Sequence, residues 1–162
     1  MTFGYECEYF LRDDKGEIVY NVPITLPHDG AGSLVEVRSQ AFECPYMVEA
    51  SFTVAHVELA VAVSKLGLRL WNINEYHYPK EKPHSFRGLK ETAGFHIHFG
   101  GPDAPPIPET VAKLDKIFGI APGRDSFYYS YRPKTWGWEY RRLPATVDVA
   151  NVTQVLIKEF VK

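Results

Sequence analysis

The sequence predicts an α+β domain in which helices cover one side of a sheet. Three observations predict it. Four segments alternate with period two, apolar on one parity and charged or imidazole-bearing on the other: Glu6/Glu8, Glu36/Arg38, His96/His98 and Glu139/Arg141. Strands with one buried face read this way. An apolar segment at helical spacing runs from about Tyr46 to Leu66, and a second, Asp148 to Phe160, closes the chain. With 162 residues, 45% of them hydrophobic and 14% aromatic, the chain suits one globular domain over residues 1–162 with a substantial core.

In order, Thr2 to Arg12 is the first expected strand. Phe3, Tyr5, Cys7, Tyr9 and Leu11 face a core, and Glu6 and Glu8 stand on the other face. Asp13-Asp14-Lys15-Gly16 signals a turn. Glu17 to Leu26 reads as a short strand or extended segment, and His28-Asp29-Gly30-Ala31-Gly32 as a loop. Ser33 to Ser39 is a strand with Leu34, Glu36 and Arg38 on one parity and Val35 and Val37 on the other. Pro45 opens the long helix, with Val48, Phe52, Ala55, Leu59, Ala62, Val63 and Leu66 on its apolar side and Gly67 as its stop. His56 and Glu58 are ordinary helix residues on this reading.

Leu68 to Tyr78 is a strand candidate. Pro79 to His84 reads as a surface loop, and Ser85 to Glu91 carries no clear pattern. Gly94 to Gly100 is the histidine strand: Phe95, Ile97 and Phe99 lie on one side, His96 and His98 on the other. Gly101 to Pro108 is a proline-rich loop, Thr110 to Phe118 a short helix, and Ile120 to Arg124 a turn around Pro122-Gly123. Phe127 to Arg132 reads as an aromatic strand and Pro133-Lys134 as a turn. Trp136 to Leu143 is the last strand, with Trp136, Trp138 and Tyr140 on its apolar face. Asp148 to Phe160 is the closing helix.

The formal net charge is −2 with Lys and Arg scattered, so nothing demands nucleic acid or an anionic membrane as partner. No run of about 18 apolar residues and no signal-peptide pattern is present. Cys7 and Cys44 are too few for a disulfide scaffold and lack zinc spacing. The expected setting is cytoplasmic.

The four charged parities carry Glu, His and Arg rather than the Lys, Thr, Ser and Gln of an ordinary solvated face. Carboxylates and imidazole bind divalent cations. Arginines such as Arg38, Arg132 and Arg141 fork onto phosphate or carboxylate oxygens. Together they suggest polyphosphate chemistry assisted by Mg2+ or Mn2+. There is no Walker loop and no Gly-x-Gly-x-x-Gly. A metal-dependent hydrolase or oxygenase using His96, His98 and a glutamate stays open at this point, as does a module that binds nucleotide or metal without turnover.

Five motifs come in order along nearly the whole chain: Phe3-Gly4-Tyr5-Glu6-Cys7-Glu8, Leu34-Val35-Glu36-Val37-Arg38, Gly94-Phe95-His96-Ile97-His98-Phe99-Gly100, Tyr131-Arg132-Pro133-Lys134 and Gly137-Trp138-Glu139-Tyr140-Arg141-Arg142-Leu143. Together they resemble the phage-type carboxylate–amine ligases, or amidoligases, distant kin of glutamine synthetase and glutamate–cysteine ligase. The resemblance implies a curved, mainly antiparallel sheet forming a half-barrel around an ATP site, with helices behind it. It implies amide formation from small-molecule carboxylate and amine substrates through an acyl phosphate. Glu6, Glu8, Glu36, His96 and Glu139 would hold Mg2+ or Mn2+, and His98 would approach the nucleotide. Arg132 and Arg141 would stabilise charge on the transferred phosphoryl group, with Arg38 beside them. Related ligases complete their sites across a dimer, so a homodimer is implied too.

Overall fold

The computed structural model describes residues 1–28, 34–77 and 90–161. The parts of the expected loops at residues 29–33 and 78–89 lie outside the described residues. Within the rest, an α+β fold is observed, with a mostly antiparallel sheet and three helices. The strands are β1 (Thr2–Arg12), β2 (Val35–Arg38), β3 (Arg69–Trp71), β4 (Glu75–His77), β5 (Lys90–Thr92), β6 (Gly94–Gly100), β7 (Tyr131–Lys134) and β8 (Gly137–Pro144). The helices are α1 (Pro45–Lys65), α2 (Ile107–Phe118) and α3 (Val149–Phe160).

The main sheet runs β2-β1-β6-β8-β7, with β3 added to the far end of β1; β4 and β5 form a separate pair. Every pairing is antiparallel. Alternation along β1 decides its two faces. Phe3, Tyr5, Cys7, Tyr9 and Leu11 are buried among hydrophobic neighbours, and helices cover that side. Phe52 of α1 meets Tyr5 and Phe95 edge-on. Phe160 of α3 meets Phe99, which stacks on Trp138. Tyr5 and Thr153 of α3 share a buried hydroxyl hydrogen bond of 2.9 Å. Fully burying a side chain of this kind is worth about 1.5–3 kcal/mol, so this face drives the assembly.

Local chemistry sets the boundaries. Asp148 caps α3 by accepting from the Ala150 amide at 3.0 Å, which satisfies one of the first-turn donors. The helix expected from Thr110 starts at Ile107 instead, because Pro108 lies in its first turn, where a missing N–H is no loss. Glu17 to Leu26 forms no strand; one bridge, Arg12 to Ile18, ties it to β1. Leu68 to Tyr78 is not continuous. The chain turns at Asn74, whose carbonyl accepts from Ala93 and whose side chain accepts from Thr146, and β4 leaves to pair with β5.

The expected aromatic strand also divides. Phe127–Tyr129 is a 3-10 turn, since the Ser130 amide and hydroxyl both return to the Phe127 carbonyl. The strand begins at Tyr131 and continues through Pro133-Lys134, which is therefore not a turn. Pro133 is tolerated because β7 is an edge strand. The turn falls at Thr135-Trp136, closed by Gly137 at φ 154, where a Cβ would stand 2.0 Å from the Phe99 carbonyl oxygen. Only glycine fits that approach.

Candidate functional site: the charged face of the sheet

The register brings the four charged parities together. Glu6 lies opposite Arg38 on one side and His96 on the other. Glu8 lies opposite Glu36. His98 lies opposite Glu139, and Glu139 opposite Arg132. Between Phe95 and Ile97 the β6–β8 register shifts, so Arg141 and Arg142 together oppose His96. A bulge of this kind re-aims side chains. Arg141 stays with Glu139 on the charged face. Arg142 turns to the helix side and pairs with Asp115 of α2, which also accepts from the Tyr140 hydroxyl.

Glu139 is the centre of one cluster. It is 0% exposed and is contacted by three cations: Arg132 Nε at 2.6 Å and Arg141 Nε at 3.2 Å on Oε1, and Lys134 Nζ at 3.0 Å on Oε2. The angles make these ion contacts rather than directional hydrogen bonds. Burial alone would raise the Glu139 carboxyl; the Lys134 and Arg132 cations beside it outweigh burial and hold it low. Arg141 in turn lies over the Tyr128 ring, 5.3 Å from its centroid.

Glu6 is the centre of a second. Its Oε1 accepts from His96 Nδ1 at 2.8 Å, and its Oε2 pairs with Arg38 Nε at 2.9 Å; Arg38 also pairs with Glu36. Burial would raise Glu6, but the His96 hydrogen bond and Arg38 hold it well below the usual carboxylate range.

The two histidines differ. His96 is 0% exposed and both ring nitrogens are engaged. Arg124 Nη1 approaches its Nε2 at 3.3 Å. An arginine can only donate, so Nε2 accepts and Nδ1–H is assigned to the Glu6 bond. His98 Nε2 has no hydrogen-bond partner. It lies 3.7 Å from Glu6 Oε2 and 3.7 Å from Glu139 Oε2, joining the two clusters. Burial pulls its pKa down to about 4, against the opposing pull of Glu6 and Glu139. Beside it opens a cavity of about 220 Å3, lined in part by Gly4, Ser39, Gly100 and Trp136. The Trp136 ring lies 5.1 Å from the His98 ring. Trp136 thus stands on the charged face, not with Trp138 and Tyr140, because it sits in the turn where strand alternation has ended.

Glu8 stands apart. Its Oε2 accepts from the Gly94 amide at 2.7 Å and from Arg124 Nη2 at 3.1 Å. Arg124 also donates to the carbonyls of Arg141 and Thr92, and its guanidinium fills the space above Gly94 that a Cβ would occupy. Sequence reasoning missed Arg124, which stands alone after Pro122-Gly123. It missed Lys134 as well, although Arg132-x-Lys134 repeats the period-two pattern.

So Glu6, Glu36, Glu139, His96, His98, Arg38, Arg132 and Arg141 gather on one face, while Glu8 is drawn to its end by Arg124. Among the described residues, no three His, Cys, Asp or Glu side chains form a ready metal centre. No family model matches the chain, and no curated protein matches its sequence.

Proposed function

We propose that this chain is an ATP- and divalent-cation-dependent carboxylate–amine ligase working on the charged face, which on this reading lines a glutamine synthetase-like half-barrel. The observation that carries the reading is His98 Nε2. A buried imidazole nitrogen without a hydrogen bond faces two buried carboxylates, Glu6 and Glu139, that are ringed by Arg38, Arg132, Lys134 and Arg141. Strongly perturbed acids meeting at one point are a mark of functional sites.

On this reading the face would take Mg2+ or Mn2+ in exchange for some of its present ion pairs. Glu6 and Glu139, with Glu36 beside them, would supply the hard oxygens, and His98 is the imidazole with a free nitrogen. Bound there, the cation would neutralise charge on the phosphates during transfer. Glu8 and His96, both held by Arg124, then act by positioning β1 and β6. The base of the nucleotide would enter the cavity beside His98, against Trp136. Arg132 and Arg141 would offset charge on the γ-phosphoryl group as the substrate carboxylate oxygen bonds to phosphorus and ADP leaves. An amine would then bond to the acyl carbon, and phosphate would depart with the C–O bond electrons.

One observation favours a second reading, a ligase-like domain that binds without turnover: Glu6, Glu8, Glu36 and Glu139 each already contact a protein cation. Thermal unfolding with ATP plus Mg2+, each alone, and EDTA tests both. A ligand specific for the folded state adds about 2.7 kcal/mol at a hundred times its Kd. A shift requiring both ATP and Mg2+ is expected, and its absence at saturation sinks both readings. Phosphate release over a panel of carboxylates and amines separates them. Glu139→Gln is expected to abolish the metal-dependent part of the shift while the fold persists.

A further inference from the structure

Helix α1 carries two apolar stripes, and the fold uses one. Val48, Phe52, Leu59 and Val63 are buried against the sheet. On the opposite side, Met47, Ala50, Val54, Val57, Val61 and Ser64 are all exposed, with Val54 and Val57 each 58% and Val61 49% accessible. Their spacing alternates three and four residues without interruption. This is the spacing of the seam between two paired helices. It runs about 26 Å at 1.5 Å per residue.

We propose that this stripe is a self-association surface, on which α1 of a second copy of this chain packs antiparallel. Two observations choose the occupant. The first is volume. Antiparallel pairing sets Met47 against Ser64, Ala50 against Val61 and Val54 against Val57 of the other copy, so each small residue meets a larger one or its equal. Parallel pairing would set Ala50 on Ala50 and Met47 on Met47, leaving a void beside a crowd. The second is charge. Glu43, exposed, lies at the N-terminal end of the stripe and Lys65, also exposed, at its C-terminal end. Only the antiparallel arrangement brings unlike ends together, and it opposes the two helix dipoles as well. The contact is isologous, so it closes at a dimer.

By length and composition α1 would also cross a membrane. Its other face, however, is packed on β1 and β2, which a spanning helix would have to abandon. The surface lies on the helix side of the sheet, away from the charged face, and the inference does not rest on the ligase reading.

Sedimentation equilibrium of the whole chain tests it. The expected mass rises toward twice 18.5 kDa as concentration reaches several hundred micromolar, and Val57→Asp holds it at the monomer with an unchanged circular dichroism spectrum. A wild type monomeric throughout, or a Val57→Asp variant that dimerises equally, overturns the proposal. In a Cys44→Ser background, Ala50→Cys mixed with Val61→Cys should form a heterodimeric disulfide, while either alone should not, since like positions then stand about 16 Å apart. Self-crosslinking of each single variant would overturn the antiparallel arrangement. Retention of the wild type, but not Val57→Asp, on phosphatidylcholine vesicles would overturn the choice of occupant.

Discussion

The two faces of β1 are buried to nearly the same degree and are held by opposite means. On β1, Tyr5 and Glu6 are neighbours in sequence and both almost inaccessible. Tyr5 is packed among Phe52 and Phe95. Glu6 is held by His96 and Arg38. Burying Tyr5 lowers the free energy of folding outright. Burying Glu6 with its partners roughly breaks even, because desolvating ions offsets most of their attraction. A sheet that needed only stability would do as well with apolar residues on both sides. On the proposed reading the charged face is kept for a charged ligand, and the difference between the faces is open to measurement.

The largest expected effect is at Arg124. It is 2% exposed and is the cation for Glu8, so Arg124→Met leaves a buried carboxylate uncompensated, a loss of about 3–5 kcal/mol. Chemical denaturation reads this directly. Adding Glu8→Gln should recover part of the loss, because the amide carries no charge to strand. An equal loss in the single and double variants would mean that Arg124 acts through packing on Gly94 and not through charge.

Arg124 also marks where the sequence stops being informative. The charged parities of β1, β2, β6 and β8 were legible because strand geometry forces alternate residues to one side. That gave each strand one charged side; the pairing register then joins Glu6, Glu36, His96, His98, Glu139 and Arg141 into a common face, opposite α1 and α3. Arg124 reaches Glu8, Thr92, His96 and Arg141, partners that come from distant segments and share no local pattern with it. Its one trace is the bare Cα of Gly94. The bulge in β8 had a trace as well. Apolar residues at Trp138 and Tyr140 are followed by Leu143, a break in the period-two rhythm that leaves Arg141 and Arg142 facing opposite ways. Trp136 was misplaced because the alternation was carried past Gly137 into a turn. The difference in role between His96 and His98 follows from which nitrogen finds a donor, and spacing says nothing of that.

The next effect in size concerns pH, and it separates the faces cleanly. Folding pulls His98 from the ordinary 6.5 down to about 4, first through burial. The unfolded chain therefore takes up the proton first, and protonation favours unfolding. Stability should be full above about pH 6.5 and should fall as pH drops toward 4, by a few kcal/mol at about 1.4 kcal/mol per pH unit. Glu6 and Glu139 are held low, so their contribution is full above the ordinary carboxylate pKa of 4.5 and is lost as pH falls below it, where the unfolded chain takes up the protons first. In His98→Gln the slope between pH 6.5 and 4 should flatten while the more acidic loss remains. Apolar-face variants such as Ile97→Val should lower stability by about 0.5–1.5 kcal/mol and leave the pH profile parallel to wild type. A His98→Gln profile that parallels wild type would place the acid sensitivity elsewhere.

The smallest expected effect is at Arg38, and it tests whether burial or charge sets the scale. Arg38 contacts two buried carboxylates, Glu6 and Glu36, yet its own side chain is 60% exposed. Water and salt reach it, so its pairs should behave as surface ion pairs worth about 1 kcal/mol or less. Arg38→Ala should therefore cost far less than Arg124→Met, although each arginine neutralises buried acid on the same face. Raising the salt concentration to about 1 M, where the screening length shrinks to roughly 3 Å, should narrow the gap between wild type and Arg38→Ala and leave the Arg124 effect nearly intact. If Arg38→Ala instead costs as much as Arg124→Met, the rim of the charged face is as closed as its interior. The ATP and Mg2+ required by the ligase reading would then have no entry at Arg38.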